Sequence, residues 1–358
     1  MKTAFFSFFC LLLVVSCKPI QVELVPTPLE FKTTCLLSKI QSFDSNLASA
    51  IDETVYTYDT QNRLLKVSFK TNDSKDSTET RSSIEQDYVY NADGYLTEIK
   101  VSGQHYLGYL LKRNLNPSAP VTGYTKYEYD SYGRLIKSET YQKLDTYSWL
   151  EFGLVQKKRK YEYDVAGNLT KYTVDDVSYP KTYHVNNGKV DKAETLFYGK
   201  YIVQHEVNNR GFITKENEPN DPSYGRVGSY KENYYDNQGY LVRQELKDVN
   251  GKFTYYYDYE YDGTPRPEIA LPLLKGHPKL PIPNGQNSVL NKRQTSYILK
   301  NGIGTDFIKW LEQGDVYTKN EFGFPTQVQN YQVFYGDPQN PNYKTISGNR
   351  RYEYINCR

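Results

Sequence analysis

Neither sign of charge is in excess: 44 lysines and arginines face 42 aspartates and glutamates over 358 residues. That balance excludes the basic stripe that marks a nucleic-acid binder, so no nucleic-acid partner is expected. Histidine is scarce, with only His105, His184, His205 and His277. His205-Glu206 starts like a zinc-protease motif, but Asn209 stands where the second histidine belongs. No serine sits in a G-x-S-x-G elbow, and Cys35 and Cys357 lack the paired spacing of a zinc site. "DVNGK" from Asp248 lacks the further carboxylates and final glutamate of a calcium loop and reads better as a turn. These gaps predict no catalytic residue, no metal and no cofactor. A carboxylate-dependent hydrolase stays open as a lesser alternative, because two acids can meet from anywhere in a chain. Methionine occurs once and alanine is sparse, so few helices are expected.

The chain's start is a different matter. Lys2 precedes a thirteen-residue apolar stretch, Ala4 to Ser16, too short for the roughly 17–25 residues that span a bilayer. Residues 1–16 therefore read as a signal peptide. "VVSC", ending at Cys17, resembles the lipobox of bacterial lipoproteins; the other reading is an ordinary secretory signal with an incidental cysteine. The lipobox resemblance implies an acyl anchor on Cys17, hence a membrane partner through lipid and an outer-membrane lipoprotein of the cell envelope. It assigns no periplasmic or surface side. Residues 17–33, with Pro19, Pro26 and Pro28, form a semi-extended tether. Residues 34–358 are expected to be one domain. Within it an even pair of cysteines, Cys35 and Cys357, favours a disulfide over two buried thiols in an oxidising compartment.

What the sequence holds in plenty is tyrosine, 37 residues. Many fall in a repeated phrase. "YEYDSYGRLIKSETY" from Tyr127 returns as "YEYDVAGNLTKYTV" from Tyr161, after "YTYDTQNRLLKV" from Tyr56 and "YVYNADGYLTEIKV" from Tyr88. Looser copies start at Tyr183, His205 and Asn233, and the first half alone recurs at Tyr257 and Arg350. Alternating Tyr and acid has the period of a half-buried strand, and the following residues suit a three-residue hairpin loop. Its last position needs a left-handed backbone, which Gly94, Gly133, Gly167, Gly211 and Gly239 supply; Asn62 substitutes in the first copy, and Gly188 closes a tighter "NNG" turn. The register predicts Tyr129 opposite Leu135 on the inner side, and likewise Tyr58–Leu64, Tyr90–Leu96, Tyr163–Leu169 and Tyr235–Leu241. Two residues further out, simple alternation sets Tyr127 against Lys137.

One hairpin cannot stand alone: burying a leucine contributes about 1.5–3 kcal/mol, while ordering ~25 residues costs on the order of 40 kcal/mol. The copies must pair edge to edge. The expected fold is all-β, a large antiparallel meander of roughly sixteen to twenty strands, curled or closed into a barrel-like sheet. In its wording the phrase resembles the YD repeats of the Rhs type, and the layout resembles small Bacteroidota lipoproteins built from them, a family of unassigned function. The match is good from about Tyr56 to Tyr261. The shell that large Rhs proteins build around a toxic cargo is not implied, since no cargo segment follows the last strand.

One stretch breaks the rhythm. Residues 263–288 hold six prolines, which excludes central-strand pairing. It reads either as a crossover packed on the sheet or as a plug in a barrel mouth through Ile269, Leu271, Leu273 and Leu274. For binding, "YYYDYEYD" puts Tyr255, Tyr257, Tyr259 and Tyr261 on one strand face, with Tyr256, Asp258, Glu260 and Asp262 on the other. That ladder, with Trp149 and Trp310, is the candidate for stacking against sugar rings; a purely structural ladder is the alternative. The reading is a lipid-anchored, non-catalytic binding or scaffolding protein. Its partner is a polysaccharide or an envelope protein, with a glycan-binding surface lipoprotein as the sharper form.

Overall fold

Among the described residues every Asp/Asn-x-x-Gly phrase reverses the chain in one way. The Gly133 N–H donates to the Asp130 carbonyl at 3.0 Å, and the Asp130 N–H to the Arg134 carbonyl at 2.9 Å. Gly133 adopts φ 76°, a type I turn closed by a left-handed residue. The Asp130 carboxylate then accepts the Tyr132 and Arg134 N–H groups and the Arg134 guanidinium, so the turn caps itself. Asn62, Gly94, Gly167, Gly211 and Gly239 share the positive φ. Asp248 makes the same bonds to Asn250 and Lys252, so "DVNGK" is a turn of this kind. At Asn187-Gly188 both residues have positive φ, the tight two-residue form.

The computed structural model describes residues 35–43, 50–72, 80–106, 118–144, 154–176, 179–197, 201–218, 228–281, 289–299, 306–335 and 343–357. The signal segment, Cys17, the tether and Trp149 lie outside the described residues. The strands are β1 (Leu36–Phe43), β2 (Ala50–Tyr58), β3 (Leu64–Asn72), β4 (Thr80–Tyr90), β5 (Leu96–Tyr106), β6 (Ser118–Tyr129) and β7 (Leu135–Leu144). They continue with β8 (Leu154–Tyr163), β9 (Leu169–Asp176), β10 (Lys181–Asn186), β11 (Lys189–Phe197), β12 (Tyr201–Val207), β13 (Ile213–Asn217) and β14 (Tyr230–Tyr235). The last are β15 (Leu241–Lys247), β16 (Phe253–Pro265), β17 (Val289–Leu299), β18 (Phe307–Lys319), β19 (Pro325–Phe334) and β20 (Tyr343–Ile355). Each pairs antiparallel with its neighbours in sequence, and β1 pairs with both β2 and β20, so the 20-stranded sheet is a closed barrel. Cys35 and Cys357 are disulfide-bonded across that seam.

Tyr129 pairs with Leu135, and the four equivalent tyrosine–leucine pairs hold. The next step out differs from simple alternation. Glu128 pairs with Lys137 and Tyr127 with Ser138, because Leu135 and Ile136 together oppose Tyr129 in a bulge. The same shift follows the turn in β2–β3, β4–β5, β8–β9 and β14–β15. A bulge raises local twist and bends the strand, which helps so many strands curl into closure. It also sends Lys137 outward to Glu128 at 3.1 Å instead of over the Tyr127 ring.

The bulge explains the second tyrosine of the phrase. Leu135 is taken out of ladder register, and the Tyr163 hydroxyl of the next hairpin donates to its carbonyl at 2.8 Å. Tyr90 bonds the Leu64 carbonyl, Tyr129 that of Leu96, Tyr235 that of Ile213, Tyr261 that of Leu241 and Tyr354 that of Pro325, all at 2.9–3.0 Å. Tyr58 reaches Leu37 in the same manner. These hairpins are thus latched to the one before them, close to fully buried leucines such as Leu96 and Leu135, while Val185 and Val207 take the tyrosine's place in the hairpins that begin with β10 and β12.

The proline-rich segment crosses the barrel mouth. Its 3-10 turn, Pro267–Ala270, packs Ala270 and Leu271 against Leu37, Phe324 and Tyr352 of β1 and β20 and their neighbours. Gly276 accepts the Leu135 N–H at 2.9 Å, the Tyr172 hydroxyl donates to the Pro281 carbonyl at 3.3 Å, and Leu280 joins the β7–β13 core cluster. Twenty strands about 4.8 Å apart and tilted ~40° give a circular barrel about 40 Å across. Eleven residues from Pro265 to Gly276 reach at most ~40 Å, well short of the outer path round the wall. The segment therefore runs through the opening, and the faces it touches are lumenal. Its anchors are Ala270, Leu271, His277 and Leu280. Ile269 and Leu273 are not among them: both are exposed, Leu273 completely.

Candidate functional site

The lumen takes its chemistry from residues in register with the plug contacts. On β16, Tyr255 lies opposite Leu246 and Ile298, and Tyr257 opposite Gln244 and Ser296. Tyr261, on the same face, donates its hydroxyl to the Leu241 carbonyl inside. Tyr255, Tyr257, Tyr259 and Tyr261 therefore form a half-buried stripe down the inner wall. Successive rings stand 5.2 Å (Tyr255–Tyr257) and 6.3 Å (Tyr257–Tyr259) apart. Burial, then the neighbouring tyrosines, push the Tyr259 hydroxyl well above its ordinary range.

Polar groups flank the stripe on β14 and β15. The Asn233 carboxamide donates to the Ile213 carbonyl at 3.1 Å and accepts from Gln244 at 2.9 Å. Further along, Lys181 and Glu216 form an inner-face ion pair at 3.1 Å. Burial works against the Glu216 charge, yet the Lys181 ammonium holds that carboxyl below its usual range. His205 bonds the Thr195 hydroxyl at 2.8 Å through Nε2 and accepts the Asn217 N–H at Nδ1. Burial pushes its pKa down, which makes it a neutral structural imidazole.

The carboxylates of the "YYYDYEYD" strand do not accompany the ladder. Asp258 lies 3.8 Å from Arg243, and Glu260 is ion-paired to Arg293, both on the outer face because strand positions alternate. Tyr256 also faces outward, stacked on Tyr297 at 4.4 Å and covered by the Arg243 guanidinium at 4.0 Å. Trp310 stands at the β17–β18 bulge, 41% exposed. The structure thus brings together the four ladder tyrosines, but not the acids beside them in sequence. The recurrent acids Asp130, Asp164 and Asp236 are held in their turns by backbone N–H groups. Among the described residues no three His, Cys, Asp or Glu side chains are placed to hold a metal ion.

Sequence reasoning missed the plug's own cleft, a space of about 370 Å³ between the Gly276–Pro281 segment and the turns after β8 and β10. Elsewhere the residue after the turn glycine or asparagine caps the next latched tyrosine, Arg63 over Tyr90 and Arg134 over Tyr163. Here Asn168 and Val185 stand in those two places, and the gap stays open. The signal was in the repeat: the fifth copy, like the sixth, has valine where the other full copies have tyrosine. His277 forms the cleft's inner wall, its ring 5.3 Å from Tyr127 and its Nε2 3.2 Å from the Tyr129 hydroxyl. Burial, then the nearby Arg159 charge, depress its pKa to about 4.

The outer wall is ionic round the barrel. Lys39–Glu53, Lys66–Glu85, Lys137–Glu139, Lys171–Glu162, Lys215–Glu206 and Lys309–Glu312 pair at 2.6–3.3 Å.

No family model and no curated protein matches the sequence. Among solved structures, a porin-like protein from Bacteroides uniformis ATCC 8492 aligns with a TM-score of 0.29 at 12% identity, covering 75% of this chain and 99% of its own. A porin-like protein from Bacteroides vulgatus ATCC 8482 gives 0.32 at 9% identity over 90% and 99%. TcdB2-TccC3 gives 0.24 at 12% identity over 86% of this chain and 17% of that one. Scores this low say nothing of function.

Proposed function

We propose that this chain is a lipid-anchored barrel of the cell envelope that binds glycan along its lumen without catalysis. The observation that carries this reading is the inward stripe Tyr255, Tyr257, Tyr259 and Tyr261 beside the amides of Asn233 and Gln244. Aromatic faces accept the C–H face of a pyranose, while amides and hydroxyls satisfy its edges. A site lined by amides and hydroxyls suits a polar ligand better than a lipid. The ion pairs on the outer wall suit an aqueous compartment, since a wall in hydrocarbon requires an outward apolar band. Attachment then falls to Cys17 and its tether, and the Cys35–Cys357 bond fits an oxidising compartment.

A glycan array on the purified protein tests this directly. Saturable binding that Tyr257→Ala weakens at least about ten-fold, with the melting temperature held, is the expected result. A blank array from a cooperatively melting protein would discard the glycan reading. The outer aromatic cluster of Tyr256, Tyr297 and Phe307 would then direct attention to a protein partner, the scaffolding alternative.

A further inference from the structure

Beneath the plug one cation has no partner of opposite charge. Arg159 pairs in register with Ser138 on one side and Val174 on the other. Ser138 in turn lies opposite Tyr127, whose ring touches the plug's His277, so Arg159 is on the lumen face. Its side chain is exposed there, although the plug runs close by. Its neighbour Lys158 points outward and pairs with Glu139 at 3.4 Å, but no carboxylate among the described residues pairs with Arg159. Tyr127 is two strands away in the same row and half-buried, whereas Tyr161, two residues along β8 on the same face, is buried in the core cluster. The Ser138 hydroxyl stands between Tyr127 and Arg159, and one step along the face are Thr125 and Thr140, bonded to each other at 2.9 Å.

We infer that Arg159 and the half-buried ring of Tyr127 form a lumenal site for a carboxylate-bearing sugar, a uronic- or sialic-acid unit of an acidic glycan. A guanidinium presents a planar fork that matches a carboxylate with two parallel hydrogen bonds. The Tyr127 ring supplies a stacking face and the threonine hydroxyls serve the sugar's edge. Inside a barrel such a pair is less screened than at an open surface. Lys181, two strands on in the same register row, already has its acid in Glu216, so the free positive charge of this arc is centred on Arg159. The site rests on the glycan reading above and narrows it to acidic saccharides.

The test is calorimetric titration of the purified protein with a panel of uronic- and sialic-acid oligosaccharides, each beside its neutral methyl ester. The ester keeps the shape and removes the charge. The acid form should bind at least about ten-fold more tightly at low salt, with the preference shrinking as salt rises. Arg159→Gln should abolish the preference, so that acid and ester bind alike, and Arg159→Lys should restore part of it. Equal binding of acid and ester, or a preference that survives Arg159→Gln, would overturn this site but leave lumenal glycan binding standing. Failure of every saccharide, charged or neutral, would sink both readings. An unchanged melting temperature for both variants separates lost recognition from lost folding.

Discussion

The Tyr163 hydroxyl does what no other atom of the phrase does: it reaches into the previous hairpin and satisfies the carbonyl that the bulge displaces. Tyr163→Phe keeps the ring and its contact with Arg134 and removes only that bond. The expected cost is about 1–2 kcal/mol, because a half-buried acceptor is left without its donor. Tyr132→Phe, at a turn residue 81% exposed, should cost nothing measurable. Urea melts of the two variants check this, and equal midpoints would discard the latch. Alternation and turn chemistry made the inner tyrosine–leucine faces legible in the sequence. The bulge was not, because it follows from twist accumulated after the turn, and period-two patterning carries no mark of a one-residue slip. Hence the Lys137 misplacement, and hence no sign in the sequence of the seven tyrosine hydroxyls that latch onto carbonyls of the preceding strands.

At the scale of the element, the plug is held by a small number of contacts, and one of them titrates. His277 is neutral in the folded barrel, with a pKa of about 4 against an ordinary value near 6.5. The unfolded chain therefore takes up the proton first. The contribution of His277 is whole above pH 6.5, declines as pH falls towards 4, and is flat below that. Because the ring is partly solvated, the loss is about 1–2 kcal/mol, less than the full shift implies. His205, also depressed, acts in the same direction elsewhere on the wall. The melting temperature should drop by a few degrees from pH 7 to pH 5, and His277→Gln should remove part of that drop while His205 keeps the rest. A variant with the wild-type pH slope would show that the plug's histidine stays solvated. Six prolines sufficed to show that the chain leaves the sheet in this stretch, although β16 runs on to Pro265, which pairs with Val289 despite the proline. Which apolar side chains anchor the stretch depended on where the opposite wall stands, and that is set by strand number and tilt, not by anything local.

For the whole molecule, closure joins strands from the two ends of the chain. β1 finds β20 only after eighteen others are in place, so the seam is the contact of greatest sequence separation in the barrel. The Cys35–Cys357 bond spans 322 residues and sits at that seam. By constraining the unfolded chain it contributes on the order of 5 kcal/mol on the chain-entropy account. Its loss should act mostly on the unfolded state, since β1 keeps its ladder to β20 and Leu37 remains completely buried with Phe324 and Tyr352. Cys35→Ser/Cys357→Ser should therefore fold to the same barrel, with unchanged β content, but unfold at a clearly lower denaturant concentration. If the seam instead depends on the bond, the double variant would expose β1 and β20 as free edges and associate edge to edge. Sedimentation beside the denaturant melt distinguishes the two. A monomer with a lowered midpoint means that the hairpin latches close the barrel and the disulfide only keeps it closed.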